Sequence, residues 1–204
     1  SDVYKRQKKD NAIGLRADID ALPIKENTGL AFESKAKGQM WGKTSDVSHM
    51  CGHDMHMAML LSAARILAAH KADVPRKVVL VFQPAEEGDS ITNPFVSDKP
   101  KLSGARALVE DGLLEQFGIK QMYGIHVMAR VPAGKMLVAQ GTALNSADAF
   151  QIDIEGRQAH GAMPWTGVDA TLTAAQTVVA LQQIVSRNVN LTQGMGVITV
   201  GKLQ

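Results

Sequence analysis

The stretch SHMCGHDMH, residues 48–56, constrains this chain more than any other, because it places the only cysteine, three histidines and an aspartate close together. Thiolate, imidazole and carboxylate groups are the ligands that zinc, manganese, cobalt and nickel take in proteins. The Cys51-x-His53 spacing differs from that of zinc fingers, and too few other ligands lie near in sequence to close a structural site. The stretch therefore predicts the first half of an open metal site.

The residues that follow Gly52 have the periodicity of an amphipathic helix. Its apolar side is formed by Met57, Leu60, Leu61, Ala64, Leu67 and Ala68. Cys51 and His53 are therefore expected on the loop and first turn that enter this helix. The positive end of the helix dipole favours the thiolate form of a cysteine at such a position.

Apolar runs predict buried strands at residues 12–20 and 77–83, and a third strand is expected at 121–127,. Open parallel sheets place their sites at the carboxyl ends of the strands. The polar residues at these strand ends and at the helix start are therefore expected to meet at one edge. They are Asp18, Asp20, Cys51, His53, Glu86, Glu87 and His126.

The acidic residues also have simpler explanations. Asp18 and Asp20, taken alone, fit turn-forming aspartates better than a site. Glu86 and Glu87 fit a solvated acidic turn as well as they fit a metal site. Two adjacent carboxylates at the end of a buried strand need nearby cations. In a metal site one of them would bind metal and the other would deprotonate the attacking water.

Four histidines lie outside this set. We expect His49 and His56 to support the ligands or to pack, rather than to bind metal directly. His70 follows the helix, where a cationic side chain is favourable, and is interpreted as structural. His160 lies in a loop, where it is either an ordinary surface residue or a donor to an oxyanion.

Composition excludes several classes of function. The net charge is +2, and acidic and basic residues are interspersed, so no basic stripe points to nucleic acid. No apolar run is long enough to span a membrane, and we expect no membrane partner. A single cysteine cannot form an internal disulfide, and it fits a reducing, cytoplasmic location,.

The pattern changes near Asn145. Alternating segments at 149–155 and 195–200 predict half-exposed strands, with a long helix between them at 168–186,. We therefore expect a disordered arm or an assembly scar at 1–11, a catalytic domain at 12–145 and a smaller α+β lid or dimerisation domain at 146–204. Both of the last two are expected to be incomplete, since the chain stops soon after an apolar alternation.

Five motifs together resemble one family of metal-dependent amidohydrolases and peptidases, which includes aminoacylase, carboxypeptidase G and hippurate hydrolase. The branch of hippurate hydrolase and the indole-acetyl-amino-acid hydrolases is the most similar. The motifs, in order, are GLRADIDALPI (14–24), SHMCGHDMHMAML (48–60), VFQPAEEG (81–88), GIHVMARVPAG (124–134) and GRQAHGAMPWTGVDA (156–170). The resemblance implies an α/β catalytic domain with a mostly parallel, phosphorylase/hydrolase-like sheet.

The resemblance also implies roles for individual residues. Two divalent metals (Zn, Mn, Co or Ni) would be held by Cys51, His53, Glu87 and His126, with the Cys51 thiolate bridging them. Glu86 would be the general base, Asp20 would support the site, and His160 would complete the oxyanion site. Arg187 and Asn188 would meet the carboxylate of a small N-acyl amino acid substrate. Asp18 stands where other branches have a histidine ligand, so it is left out of the metal set.

The chain departs from the family in length, since members are roughly twice as long and supply a final histidine ligand after the small domain. Three interpretations stay open at this point. The first is a metal-dependent hydrolase of N-acyl amino acids that dimerises through its small domain. The second is a hydrolase with Cys51 as its nucleophile. The third is a metal-binding or self-associating fragment without activity.

Overall fold

Strand β1 (Ala12–Asp18) is the middle strand of a three-stranded sheet. The computed structural model describes residues 11–91, 93, 95, 104–138, 140–141 and 146–204. Strands β4 (Val78–Gln83) and β5 (Ile119–Gly124) flank β1 on either side, and both run parallel to it. All three carboxyl ends therefore lie at one edge of the sheet, as the sequence predicts for an α/β fold.

The hydrophobic core lies on this sheet. Its buried members come from the three strands, and two short helices, α2 (Gly104–Glu110) and α3 (Leu113–Phe117), supply the partly buried side chains packed against them. The buried members are Ala12, Val79, Val81 and Ile119, and the packed ones are Leu108, Leu113, Leu114 and Phe117. Burial of this apolar surface fixes the sheet beneath the polar edge.

Helix α1 (His53–Ala69) begins where the sequence predicts, and the face it buries agrees only in part with the predicted one. Its buried residues are His53, His56 and Leu60, whereas Leu61 is 53% exposed. The predicted apolar face is therefore wrong at Leu61, and two histidines replace apolar residues on the inner side. These histidines can be buried there because Nδ1 of His53 and both ring nitrogens of His56 have hydrogen-bonding partners,.

The polar segment between β1 and α1 contains a short hairpin. Strands β2 (Lys37–Met40) and β3 (Lys43–Asp46) are antiparallel. The two residues between them, Trp41 and Gly42, have φ angles of 50° and 78°. A two-residue hairpin of type I′ requires positive φ at both positions.

The chain consists of two compact units, Ser1–Lys135 and Met136–Gln204. The second unit contains helix α4 (Ala170–Gln183), capped by Asp169, whose Oδ1 accepts a hydrogen bond of 2.8 Å from the Leu172 amide. Within the described residues of this unit, 149–155 and 195–200 form no strand. The prediction of strands there is wrong for this structure, because alternation selects a face but supplies no hydrogen-bonding partner.

Two predictions fall on residues that the structure leaves out. The expected arm, apart from residue 11, and Asn145 at the expected domain boundary lie outside the described residues. Among the described helices, none has both the length and the apolar character needed to cross a membrane.

Gly52→Ala is expected to destabilise the chain more than Gly112→Ala. Both glycines precede a helix with a φ of 81°, so both changes carry the strain of a left-handed alanine, about 1–2 kcal/mol,. A Cβ at Gly52 would lie 2.3 Å from Val127 Cγ2, whereas a Cβ at Gly112 meets nothing within 4 Å. Urea unfolding of the two variants measures the difference, and equal losses would show that the packing against Val127 is unimportant.

Candidate metal centre

The polar edge of the sheet brings together three overlapping groups of side chains that are able to hold a metal ion. In each group the ligand atoms all lie within 4.8 Å of one another, and His53 belongs to all three. The groups are Cys51 with His53 and His126, His53 with Glu86 and Glu87, and Asp18 with His53 and His56. The first two groups contain the four ligands and the general base that the resemblance implies.

His53 is almost completely buried, and its two ring nitrogens have different surroundings. Nδ1 lies 3.0 Å from both the carboxylate Oδ1 and the carbonyl oxygen of Asp20. Since both neighbours are acceptors, Nδ1 carries the proton and Nε2 keeps a lone pair. That buried Nε2 has no hydrogen-bond partner among the described residues.

The surroundings of His53 Nε2 fit a cation. Carboxylate oxygens of Asp18, Glu86 and Glu87 lie 3.7, 3.9 and 3.7 Å from it. A buried polar atom without a partner costs about 1–3 kcal/mol, and carboxylates crowded around one site repel one another. A divalent cation would satisfy the nitrogen and the acids together, so the donor set passes this test for a transition metal.

Asp20 connects two of the expected ligands. Its Oδ1 accepts from His53, and its Oδ2 accepts a hydrogen bond of 2.9 Å from the Glu87 backbone N–H. A carboxylate that accepts from the outer nitrogen of a ligating histidine fixes the ring and its tautomer. Asp20 therefore orients His53 and the Glu87 backbone, and both of its carboxylate oxygens are already occupied.

The turn after β4 is strained where it presents Glu86 and Glu87. Ala85 has a φ of 49°, which is uncommon for a residue with a side chain,. A Cβ on Gly104 would lie 2.6 Å from the Ala85 carbonyl oxygen, so the start of α2 abuts this turn closely. Backbone strain held by surrounding packing is frequent where side chains are oriented for function.

Cys51 and His126 face each other, with 3.6 Å between Sγ and Nε2. His126 Nδ1 lies 2.6 Å from the Val127 carbonyl oxygen, so Nδ1 carries the proton and Nε2 is left for the thiol or a metal. His126 lies beyond the end of β5 rather than within a strand.

The pKa of the Cys51 thiol differs from what the sequence predicts. Burial, a hydrogen bond with Glu87, and the charges of Glu87, Glu86 and Asp18 raise its pKa to about 11. The expectation that the helix dipole favours the thiolate is therefore wrong for the metal-free chain. The helix dipole acts as about half a positive charge at the start of the helix. This is less than the combined negative charge of the nearby carboxylates. A bound cation would reverse this balance.

His56 and Asp18 are fully occupied by other partners. His56 Nε2 accepts a hydrogen bond of 2.9 Å from the Val127 N–H, and its Nδ1 lies 2.5 Å from Asp18 Oδ1. Asp18 Oδ2 accepts a hydrogen bond of 2.8 Å from Arg16. Although burial raises the pKa of Asp18, the His56 hydrogen bond and the charge of Arg16 lower it below its usual range. Sequence reasoning left both residues out of the metal ligands, and that assignment stays a prediction.

His160, Arg187 and Asn188 belong to the second unit, and all three are exposed. His160 Nδ1 accepts a hydrogen bond of 3.1 Å from the Ala162 N–H. Arg187 and Asn188 lie in the irregular turn Ile184–Asn188 that follows α4. Their roles in substrate binding and oxyanion stabilisation stay predictions.

Comparison with known proteins gives consistent matches. A family model described as "Peptidase family M20/M25/M40" matches residues 14–200. N-acetyl-L-cysteine deacetylase of Bacillus subtilis is 43% identical over 94% of this chain and 40% of its own length. Hippurate hydrolase of Campylobacter jejuni is 39% identical over 98% of this chain and 46% of its own length.

A solved structure agrees with these matches. A chain described as an aminohydrolase from methicillin-resistant Staphylococcus aureus has a TM-score of 0.58 and 32% identity, and the match covers 90% of this chain and 43% of that one. This chain therefore spans less than half the length of the relatives it matches.

Asp20→Asn is expected to weaken metal binding about 10–100-fold, because it alters the acceptor that orients His53. The change keeps the size of the side chain, so the sheet should remain folded. Titration with Co²⁺ or Zn²⁺, monitored by calorimetry, measures the loss. Asp54→Asn is a matched control, since Asp54 is an exposed residue on the same helix. Unchanged affinity in Asp20→Asn would contradict the role assigned to Asp20.

Alkylation of Cys51 in the metal-free chain is expected to be slow near pH 7 and to accelerate up to about pH 11. Only the thiolate reacts, and its fraction rises about tenfold per pH unit below the pKa. Glu87→Gln should move the profile to lower pH, because it removes an acid that raises the pKa. Iodoacetamide rates measured against pH test this, with Glu26→Gln as the control. A plateau already reached near pH 8 would contradict the assignment.

Proposed function

Because the chain belongs to peptidase family M20/M25/M40, we propose that the protein carrying it hydrolyses the amide bond of small N-acyl amino acids with two divalent transition metals. The family is the one that the five motifs indicate. The observation that carries the proposal is the buried, unpaired Nε2 of His53 among carboxylates. Two relatives support the substrate class, since one is named a deacetylase of N-acetyl-L-cysteine and another a hippurate hydrolase.

Cys51, His53, Glu87 and His126 are the proposed metal ligands. They offer one thiolate, two imidazole nitrogens and one carboxylate, and His53 lies at the centre of the overlapping groups that contain them. Zinc, manganese, cobalt and nickel all accept this mixture of donors. Divalent cations supply Lewis acidity, which polarises the scissile carbonyl and stabilises the charge that develops on its oxygen.

Glu86 is the proposed general base. Its carboxylate lies 3.9 Å from His53 Nε2, and the side chain is 37% exposed, so it is open to water at the edge of the ligand cluster. It takes a proton from the attacking water and passes it to the leaving amine. The strained Ala85 turn directs Glu86 and Glu87 toward the same histidine, which leaves one acid for binding and one for proton transfer.

The second unit is proposed to complete substrate binding. His160 donates a hydrogen bond to the oxyanion, and Arg187 and Asn188 bind the substrate carboxylate. Their exposed side chains and hydrogen-bonding chemistry fit these tasks,. A homodimer formed through the small domain, and a cytoplasmic location for a protein with one free cysteine, belong to the same proposal.

A nucleophilic Cys51 is the second candidate, since His126 Nε2 lies 3.6 Å from its sulfur. The raised pKa of the thiol argues against it, because a nucleophilic cysteine needs a lowered pKa,. Chelation separates the two mechanisms. Only a metal-dependent enzyme loses activity with a chelator and recovers it when metal is added.

In the full-length protein, Glu86→Gln is expected to lower kcat about 10²–10⁴-fold while metal content stays unchanged. Glutamine has nearly the same shape but cannot accept the proton from water. Glu87→Gln is the matched comparison, because it changes the neighbouring acid that we assign to metal binding, and it should lower the metal content. Hydrolysis of N-acetyl amino acids and hippurate, with metal analysis of each variant, gives both readouts. Near-normal turnover of Glu86→Gln would falsify its role.

A further inference from the structure

We propose that Asp18 and His56 are positioning residues for His126, acting through the backbone of Val127. The inference rests on the proposed metal site, and it assigns a function to two buried polar residues that are not metal ligands in that site. His56 Nε2 accepts from the Val127 N–H at 2.9 Å, and His56 Nδ1 lies 2.5 Å from Asp18 Oδ1. Because Nε2 accepts, Nδ1 must be the nitrogen that carries the proton and donates to Asp18.

The pair is anchored between the central strand and helix α1. Asp18 is completely buried at the end of the central strand, where it pairs with Gln83 of β4. His56 is buried one turn after His53 on α1. Arg16 donates to Asp18 Oδ2 and, through Nε, to the Gln83 side chain at 2.8 Å. The helix, the central strand and its neighbour therefore share one hydrogen-bonded network.

His126 lacks the support that a strand gives. Pairing of β1 with β5 ends at Arg16 and Gly124, so His126 lies two residues beyond the ladder. Among the described contacts, the Val127 N–H finds its partner in His56 rather than in a neighbouring strand. His126 in turn donates from Nδ1 to the Val127 carbonyl at 2.6 Å, which directs its Nε2 toward Cys51.

Two further contacts act on the same residues. The rings of His56 and His126 pack edge to face, with 4.5 Å between their centroids. Val127 is also confined by Gly52, where an added Cβ would lie 2.3 Å from Val127 Cγ2. His56 thus holds the peptide next to His126 and also contacts its ring, while Asp18 fixes the tautomer and orientation of His56.

The two sides of the site are therefore held by different acids. Asp20 orients His53 directly, through a hydrogen bond of 3.0 Å. Asp18 acts one step further away, through His56 and Val127, on His126. Loss of His56 should for this reason weaken the metal position that uses His126 and leave the His53 side intact.

The test is metal binding by the full-length, metal-free protein, measured by Co²⁺ titration with calorimetry and absorption spectroscopy. His56→Asn keeps a donor near the Nδ1 position but removes the acceptor for Val127. It is expected to weaken one of two Co²⁺ equivalents about 10–100-fold. His56→Gln, whose amide reaches the Nε2 position, should restore part of the affinity. His70→Asn is the control, since His70 is an exposed histidine just after the same helix.

A double-mutant cycle separates positioning from general destabilisation. If His56 acts through His126, the loss caused by His56→Asn should vanish when His126 is already alanine. Additive losses in the two variants, or wild-type affinity in His56→Asn, would overturn the inference while leaving the proposed function standing. Absence of any Co²⁺ binding by the wild type would instead count against the proposed function.

Nitrogen-15 spectra of the histidine rings test the positioning contact in the metal-free protein. The wild-type spectrum is informative even if a variant folds poorly. In the wild type both His56 and His126 should be in the Nδ1–H tautomer, as their acceptors require. In His56→Asn, His126 should become a mixture of tautomers and the Val127 amide should exchange faster. An Nε2–H tautomer of His56 in the wild type would overturn the proposal.

Discussion

The contact on which the rest of the site depends is that of a buried imidazole with several carboxylates. His53 is 1% exposed, and its Nε2 faces oxygens of Asp18, Glu86 and Glu87 at 3.7–3.9 Å. The parallel sheet forces this crowding, because its strands all end at one edge. Arg16 offsets part of the negative charge of these acids through its contact with Asp18, and a metal ion would offset the rest,.

Sequence patterns predict the sheet well and the helix face less well. The apolar runs at 12–20 and 77–83 become β1 and β4, as apolar runs of this length predict,. Burial on both faces is not met in β4, where Phe82 is 38% exposed. Helical spacing cannot show which of several possible faces is buried. On α1 the buried residues include His53 and His56, which are not members of the predicted apolar face. Local patterns carry no information about partners that lie far away in sequence.

The same limit explains what the sequence reveals of the site. Positions at strand ends and at a helix start indicate the candidate site residues, and the resemblance to the family implies which of them would bind metal. The pairing of His56 with Asp18 joins residues 38 positions apart, and it becomes visible only once α1 lies on the sheet. The one weak signal is spacing, since His56 follows His53 by a helical turn and so shares its face. The raised pKa of Cys51 likewise results from burial and from acids contributed by strand ends far away in sequence.

A metal ligand outside regular structure needs a rigid support. The support differs between the proposed ligands His53 and His126, because they lie at different distances from the sheet. His53 lies on the first turn of a helix and needs only Asp20 to set its tautomer. His126 lies past the end of β5, where no ladder bond reaches among the described residues, so its backbone must be held by a side chain.

A buried histidine suits this task, because it can accept from a peptide with one nitrogen and donate to a carboxylate with the other. The acid at its far side then needs a cation of its own, and Arg16 on the same strand supplies it. The network therefore ends in a neutralised charge rather than an unpaired one, which lowers the cost of burying Asp18 beside the proposed metal ligands,.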